Sequence, residues 1–407
     1  MRILLLFLIS LCLVWPSLGQ ERCSSDWITN RYIENNPNSP AASEWQNQAL
    51  NLPTGGLPMG TLSIPVVVHV LFNDSIENID NKQIIDQINR LNRDFGMEND
   101  DIERLPPAFQ SLKADTEIEF CLATIDPQGR STNGIKRVYT SIESFDVYTA
   151  PDRMKFTSLG GSDAWNSKLY LNIWVCRLNP GILGFSYPPG VPEDLDGVVI
   201  AFDYFGSMNT VAPPFHLGRT LTHEVGHYLG LKHIWGPAIS CGDDFIEDTP
   251  LQALPNLGCP SFPNISSCQF EDNGPHGDLF YNFMDYVDDE CMVMFTLGQK
   301  EYMRGVLASR RTTLLGSPAC SSIGIEEANK YHLRCYPNPG QDRLQLEFAG
   351  PEIPTELLIV NLEGEIVLKK INLSRNPILS VEQLPPGYYL LRINGKSGIQ
   401  TQAWLKL

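Results

Sequence analysis

The first sustained pattern along the chain is a β-branched apolar run, Ser63-Ile64-Pro65-Val66-Val67-Val68-His69-Val70-Leu71-Phe72, which predicts a buried strand. Asn81 to Phe95 then carries Ile84, Ile85, Ile88, Leu91 and Phe95 on one stripe, the signature of an amphipathic helix. Further strands are predicted at Ile118–Ala123, Leu169–Val175 and Gly197–Phe202, and helices at about Leu217–Leu229 and Leu297–Ser309. Between those helices, after Asp243, the chain turns irregular and cysteine-rich. Residues 20–62, rich in Asn, Ser, Pro and Gly with Gly55-Gly56, show no sustained periodicity and read as an extended leader rather than a folded domain. From Cys335 the pattern changes again. Six short runs (344–348, 356–361, 365–369, 378–381, 388–394 and 403–407) lie between turns at Pro337-Asn338-Pro339, Glu363-Gly364 and Pro385-Pro386-Gly387, as in a small all-β sandwich. The expected class is α+β: a block over 63–316, a linker over 317–334 and a sandwich over 335–407.

The N-terminus differs from all of this. Arg2 precedes an apolar run from Ile3 to Trp15, and Ser17-Leu18-Gly19 offers small residues for cleavage, so 1–19 reads as a secretory signal peptide, too short to span a bilayer. No later stretch is apolar for long enough to be a membrane helix. Acids exceed bases, giving a net charge of -17 and a pI near 4.8, which argues against nucleic acid or anionic lipid as partners and is compatible with hard cations. Of ten cysteines, Cys12 leaves with the signal peptide, and Cys241, Cys259, Cys268 and Cys291 crowd into one region, as disulfides do in an oxidising compartment. Spacing alone does not choose among the three ways of pairing those four.

The chemistry is concentrated in His223-Glu224-Val225-Gly226-His227. Residues four apart share a helix face, so two imidazoles reach one ion while Glu224 lies one residue along. Gly230 lets the backbone turn out of the helix and bring His233 round as a third nitrogen ligand. Three imidazoles and a water make the open tetrahedral site of catalytic zinc, with Glu224 as general base.

The string from His223 to His233 resembles the extended zinc motif of metzincin peptidases, and Asn282-Phe283-Met284-Asp285-Tyr286 resembles their Met-turn. The frame over about 63–315 is similar to the bacterial pappalysin (cytophagalysin-type) family: Val66-Val67-Val68-His69-Val70, Leu171-Asn172-Ile173-Trp174, Asp248-Thr249-Pro250-Leu251-Gln252 and Asp288-Asp289-Glu290-Cys291-Met292. The resemblance implies a twisted mixed sheet with an active-site helix, and Tyr286 as a donor to the oxygen of the tetrahedral intermediate. It also implies disulfides Cys241–Cys268 and Cys259–Cys291. Asp244-Phe245-Ile246-Glu247-Asp248-Thr249 is similar to a family calcium loop, with Asp244, Ile246, Asp248 and Thr249 as ligands; calcium requires six or more oxygens. Cys23 matches leader cysteines in position, which implies a zymogen switch in which a thiolate is the fourth zinc ligand. Glu290 matches the acid at the base of the S1′ pocket, which implies cleavage before Arg or Lys. The tail from Tyr336 to Tyr389 resembles the sorting domain of type IX secretion cargo, with that machinery as partner and release or surface attachment as outcome. The expected protein is a secreted, zymogenic zinc endopeptidase acting on proteins and peptides. Two rivals stand beside it. One is a catalytically dead surface adhesin that retains the fold, which loss of Glu224 or one histidine would signal, and none is lost. The other is a zinc amidase acting on a non-peptide bond, which the motif equally admits.

Overall fold

The computed structural model describes residues 22–46, 59–237, 241–268, 276–320, 332–349, 355–361, 365–371, 373–395 and 398–407. The expected signal peptide, Gly55-Gly56 and Glu363-Gly364 lie outside them. The chain divides into two compact units, Met1–Cys320 and Ser321–Leu407. Residues 317–320, read from sequence as linker, belong to the first, because Cys320 is disulfide-bonded to Cys121 and the Ala319 carbonyl accepts from Thr124.

The first unit is organised on β1 (Leu62–Phe72), whose Val, Ile and Leu side chains are almost all buried. Two parallel strands share one side of it in succession: β2 (Ile118–Leu122) pairs with Leu62–Val66, and β3 (Ile135–Tyr139) with Val68–Phe72. On the other side lie β4 (Leu171–Cys176), then β6 (Val198–Ala201), both parallel. The far edge is β5 (Gly184–Ser186), antiparallel to β6. Three residues beginning with glycine carry no alternation, so β5 is not legible in the sequence, yet it forms the sheet edge against the active-site helix.

Helix α3 (Asn81–Phe95) starts at Asp80, whose side chain accepts from the Gln83 N–H, and buries Ile84, Ile88, Leu91 and Phe95. Ile85, expected on the same stripe, is 48% exposed, since it lies a hundred degrees of helix rotation from Ile84. Helix α4 (Arg219–Tyr228) is buried along its whole length, and α5 (Leu297–Ser309) opens with a Thr296/Gln299 capping box.

The leader corrects the expectation of an extended segment. It folds into α1 (Ser25–Asn35) and α2 (Pro40–Gln46), and Ile28 of α1 is buried in a cluster with Trp174, Phe185 and Tyr187. That docking burial, and not any strong periodicity of its own, explains why so polar a segment is helical.

The second unit has two antiparallel sheets. One has the order β10 (Ile366–Ile371), β9 (Glu356–Val360), β12 (Gly387–Gly395), β13 (Gly398–Lys406); the other β11 (Ile378–Ser380), β8 (Arg343–Ala349), β7 (His332–Tyr336). Leu344, Leu346, Phe348, Leu357, Ile359, Leu391, Ile393 and Trp404 form their common core. Seven strands stand where six were expected, the addition being β7, and the last begins earlier, at Gly398.

Candidate active site

Helix α4 ends where its sequence says it must. Gly230 has φ +90°, donates its N–H to the His227 carbonyl at 2.8 Å, and Leu231 N–H donates to the Gly226 carbonyl at 3.0 Å. This is the paired 5→2 and 6→1 bonding of a Schellman end, which favours a residue without a Cβ. The turn brings His233 back so that the Nε2 atoms of His223, His227 and His233 lie 3.1–3.2 Å apart.

His223 Nδ1 donates to the Phe283 carbonyl at 2.7 Å, His227 Nδ1 to the Leu231 carbonyl at 2.8 Å, and His233 Nδ1 to Asp26 Oδ2 at 2.8 Å. With the protons on Nδ1, three Nε2 lone pairs face one another. Burial keeps His223 and His227 unprotonated, the latter pushed down to about 3. Such a triangle is repulsive unless a cation joins it. Nitrogens about 2.0–2.1 Å from one tetrahedral Zn²⁺ stand about 3.3 Å apart, so the three residues fit zinc. Cys23 completes the group: its Sγ and the three histidine nitrogens all lie within 4.8 Å of one another, and all four residues are buried.

Glu224 is fully buried, and burial lifts its carboxyl to about 7. Its Oε2 accepts from Ser25 Oγ at 2.8 Å. The tight turn at Met284 lies below the helix: a Cβ on Gly226 would come within 2.4 Å of the methionine sulfur. Asn282 and Gln299 exchange side-chain hydrogen bonds that tie this turn to α5. The Tyr286 hydroxyl donates to the Cys23 carbonyl at 2.9 Å, and its ring meets that of His233 edge-on at 4.9 Å.

The leader therefore lies in the cleft. Cys23 forms a parallel bridge with Gly184 of edge strand β5, and Ser24 N–H donates to the Gly184 carbonyl. Arg22 is buried beside it: its guanidinium donates to Asp289 Oδ1 at 2.8 Å and to the Val287 carbonyl, 4.6 Å from the Phe215 ring centre. Asp289 Oδ2 accepts from Leu217 N–H at 2.8 Å, just before α4. Glu290, the acid expected at the pocket base, is instead 55% exposed, 3.9 Å from both Arg104 and His216. The buried acid meeting an arginine is its neighbour. Asp288-Asp289-Glu290 offers three acids in a turn, and which one faces inward is a tertiary fact. Arg22, Ser25 and Asp26 also escaped the sequence reading, though their adjacency to Cys23 was the available signal.

Cys241–Cys268 and Cys259–Cys291 are bonded, as is Cys121–Cys320, which had no sequence assignment. In the acidic loop, Asp244 Oδ1 accepts from Ile246 N–H and Thr249 Oγ1, while its buried Oδ2 has no hydrogen-bond partner among the described residues, and burial raises the carboxyl to about 7. Asp248 faces elsewhere, both oxygens accepting at the start of α5 from Thr296 Oγ1 and Gly298 N–H.

Among the described residues, no helix is long and apolar enough to cross a membrane. Residues 159–308 match the peptidase family described as pregnancy-associated plasma protein-A, and 334–406 match a secretion system C-terminal sorting domain. An extracellular metalloprotease of Pyricularia oryzae is 38% identical over 148 residues, 35% of this chain and 49% of that protein, so the match spans about half of that relative. One from Arthroderma otae is 28% identical over 248 residues, 58% of this chain and 75% of that protein. Mature mirolysin of Tannerella forsythia, solved with a cleaved peptide, is 46% identical with a TM-score of 0.60, covering 63% of this chain and 97% of that one. A promirolysin mutant from the same organism is 42% identical with a TM-score of 0.66, covering 72% and 97%. The sorting domain and the extracellular relatives make this a secreted or cell-surface protein. The chain belongs to the pappalysin family of metzincin metallopeptidases.

Proposed function

We propose that the protein is a zinc endopeptidase held latent by its own leader, cutting before arginine and, less readily, lysine. The observation that carries this reading is the convergence of three Nε2 lone pairs beside the buried carboxyl of Glu224. His223, His227 and His233 would hold zinc, which when bound polarises a carbonyl and acidifies a water. Glu224 then takes the water proton and passes it to the leaving amine, a role suited to a carboxyl lifted to about 7. Tyr286, whose hydroxyl serves the Cys23 carbonyl in the latent form, donates to the substrate oxygen once the leader has left. Met284 supports the helix beneath the histidines. A substrate would take the edge of β5 that the leader occupies, as strand addition does elsewhere.

Latency follows from Cys23 as fourth ligand, with the leader backbone filling the cleft. The preference for arginine is supported by Arg22 on Asp289, a buried charge-assisted pair; Glu290 then acts only at the rim. Calcium would bind through Asp244, the Ile246 carbonyl and Thr249, supported by the orphaned Asp244 Oδ2, with Asp248 left to α5. The C-terminal unit would engage the type IX machinery. The test is a denatured-protein digest by the activated chain, with and without a zinc chelator, alongside Glu224→Gln. Chelator-sensitive cuts before Arg, absent from the variant, are expected; cuts that persist in Glu224→Gln or with chelator overturn the reading.

A further inference from the structure

Each zinc-facing imidazole is oriented by the acceptor on its Nδ1, and the three acceptors are of two kinds. For His223 and His227 they are carbonyls of the catalytic unit, Phe283 and Leu231. For His233 it is a carboxylate, Asp26 Oδ2, in the first turn of leader helix α1, 207 residues away in sequence. Besides the imidazoles of His223 and His227, the His233 ring meets Trp235, stacked at 4.3 Å, and Tyr286, edge-on. We infer that Asp26 is a positioning residue for zinc, a carboxylate lent by the leader to the third ligand while the leader is attached.

A carboxylate on Nδ1–H fixes the tautomer that presents Nε2 to the metal and raises the basicity of that nitrogen; such outer partners typically change metal affinity about 10–100-fold. Asp26 is well anchored for the task, because its helix is held by Ile28 in the core and by Ser25, which accepts from Ser186 N–H and donates to Glu224. The consequence is that the protein takes up zinc most tightly as a proenzyme, and that removal of the leader withdraws Asp26 together with Cys23. The two leader residues act on different atoms, Asp26 behind His233 and Cys23 in front of it, so their contributions are separable.

The inference rests on the zinc reading above. Its test is zinc affinity by competition with a chromophoric chelator, on the full-length chain in a Glu224→Gln background so that the leader stays attached. Asp26→Ala should weaken zinc binding about 10–100-fold, Asp26→Asn less because its amide oxygen still accepts from Nδ1–H, and Asp26→Glu should restore most of the loss. The same factor should appear when Cys23 is already Ala. Melting temperatures of the metal-free forms separate this role from simple packing, which would lower them without changing the affinity ratio. Asp26→Ala within twofold of the parent, or a loss that Asp26→Glu does not restore, overturns the inference. A parent chain that takes up no zinc overturns the underlying reading instead.

Discussion

Gly226 and Met284 are packed so closely that a single added carbon cannot fit between them: a Cβ on the glycine would lie 2.4 Å from Sδ and 3.3 Å from Cε. In an open helix, alanine would be better than glycine by about 1 kcal/mol. Here overpacking opposes it at about 1–3 kcal/mol, in a core where Met284 is fully buried. Gly226→Ala should therefore be less stable, with lower turnover because the displaced methionine tilts the histidine-bearing helix. Chemical denaturation and kcat measure the two effects; a variant at least as stable as the parent would show that Met284 relaxes freely.

Latency should have two anchors. Cys23→Ala removes the thiol facing the histidines and Arg22→Ala the guanidinium on Asp289. Each should shorten the lag before the full chain activates itself, and the double variant should shorten it most. Gel time courses at one concentration report the lag. Cys23→Ala as latent as the parent would remove the cysteine from the mechanism.

Specificity should follow Asp289 more than Glu290. Asp289→Asn keeps an acceptor for Leu217 N–H while turning a donor toward an incoming guanidinium. Hydrogen bonds to charged groups contribute about 1.5–3 kcal/mol, so kcat/KM for Arg over a neutral P1′ residue should drop about 10–100-fold. Glu290→Gln, at an exposed site, should change it by a fewfold at most. The reverse order, measured on paired fluorogenic peptides, would return the pocket to Glu290.

His69 gives a pH test remote from the cleft. Its ring is buried, stacked on Trp174 at 5.3 Å, with Nε2 donating to Asn172 Oδ1 and Nδ1 accepting from Ser162 Oγ. Asn172 Nδ2 donates to the Trp165 carbonyl, which fixes the amide and hence the neutral tautomer. Burial first, with Lys136 assisting, lowers the pKa to about 3. The unfolded chain binds a proton below about pH 6.5 that the folded one refuses, so this group's stabilisation is present at neutral pH. It is lost on acidification, by about 1.4 kcal/mol per pH unit down to about 3. His69→Gln should flatten the stability profile over that window relative to the parent; parallel profiles would refute the assignment.

The chain of residues alone determined what depends on neighbours in sequence. His223 and His227 share a face because four residues make about one helical turn, and Gly230 ends the helix because its φ is positive. The strand at 63–72 was plain from its β-branched run, and the sandwich from its turns. Tertiary structure decided whatever joins distant segments. A leader without periodicity became helical because Ile28 found Trp174 and Phe185, and β5, three residues long, is a strand because it pairs with β6, its outer side then meeting Cys23. Asp289 rather than Glu290 meets the arginine because the turn after Tyr286 points one acid inward. Asp26 reached His233 across 207 residues. Local pattern encodes which way a side chain faces along its own element; only packing fixes which other element it meets.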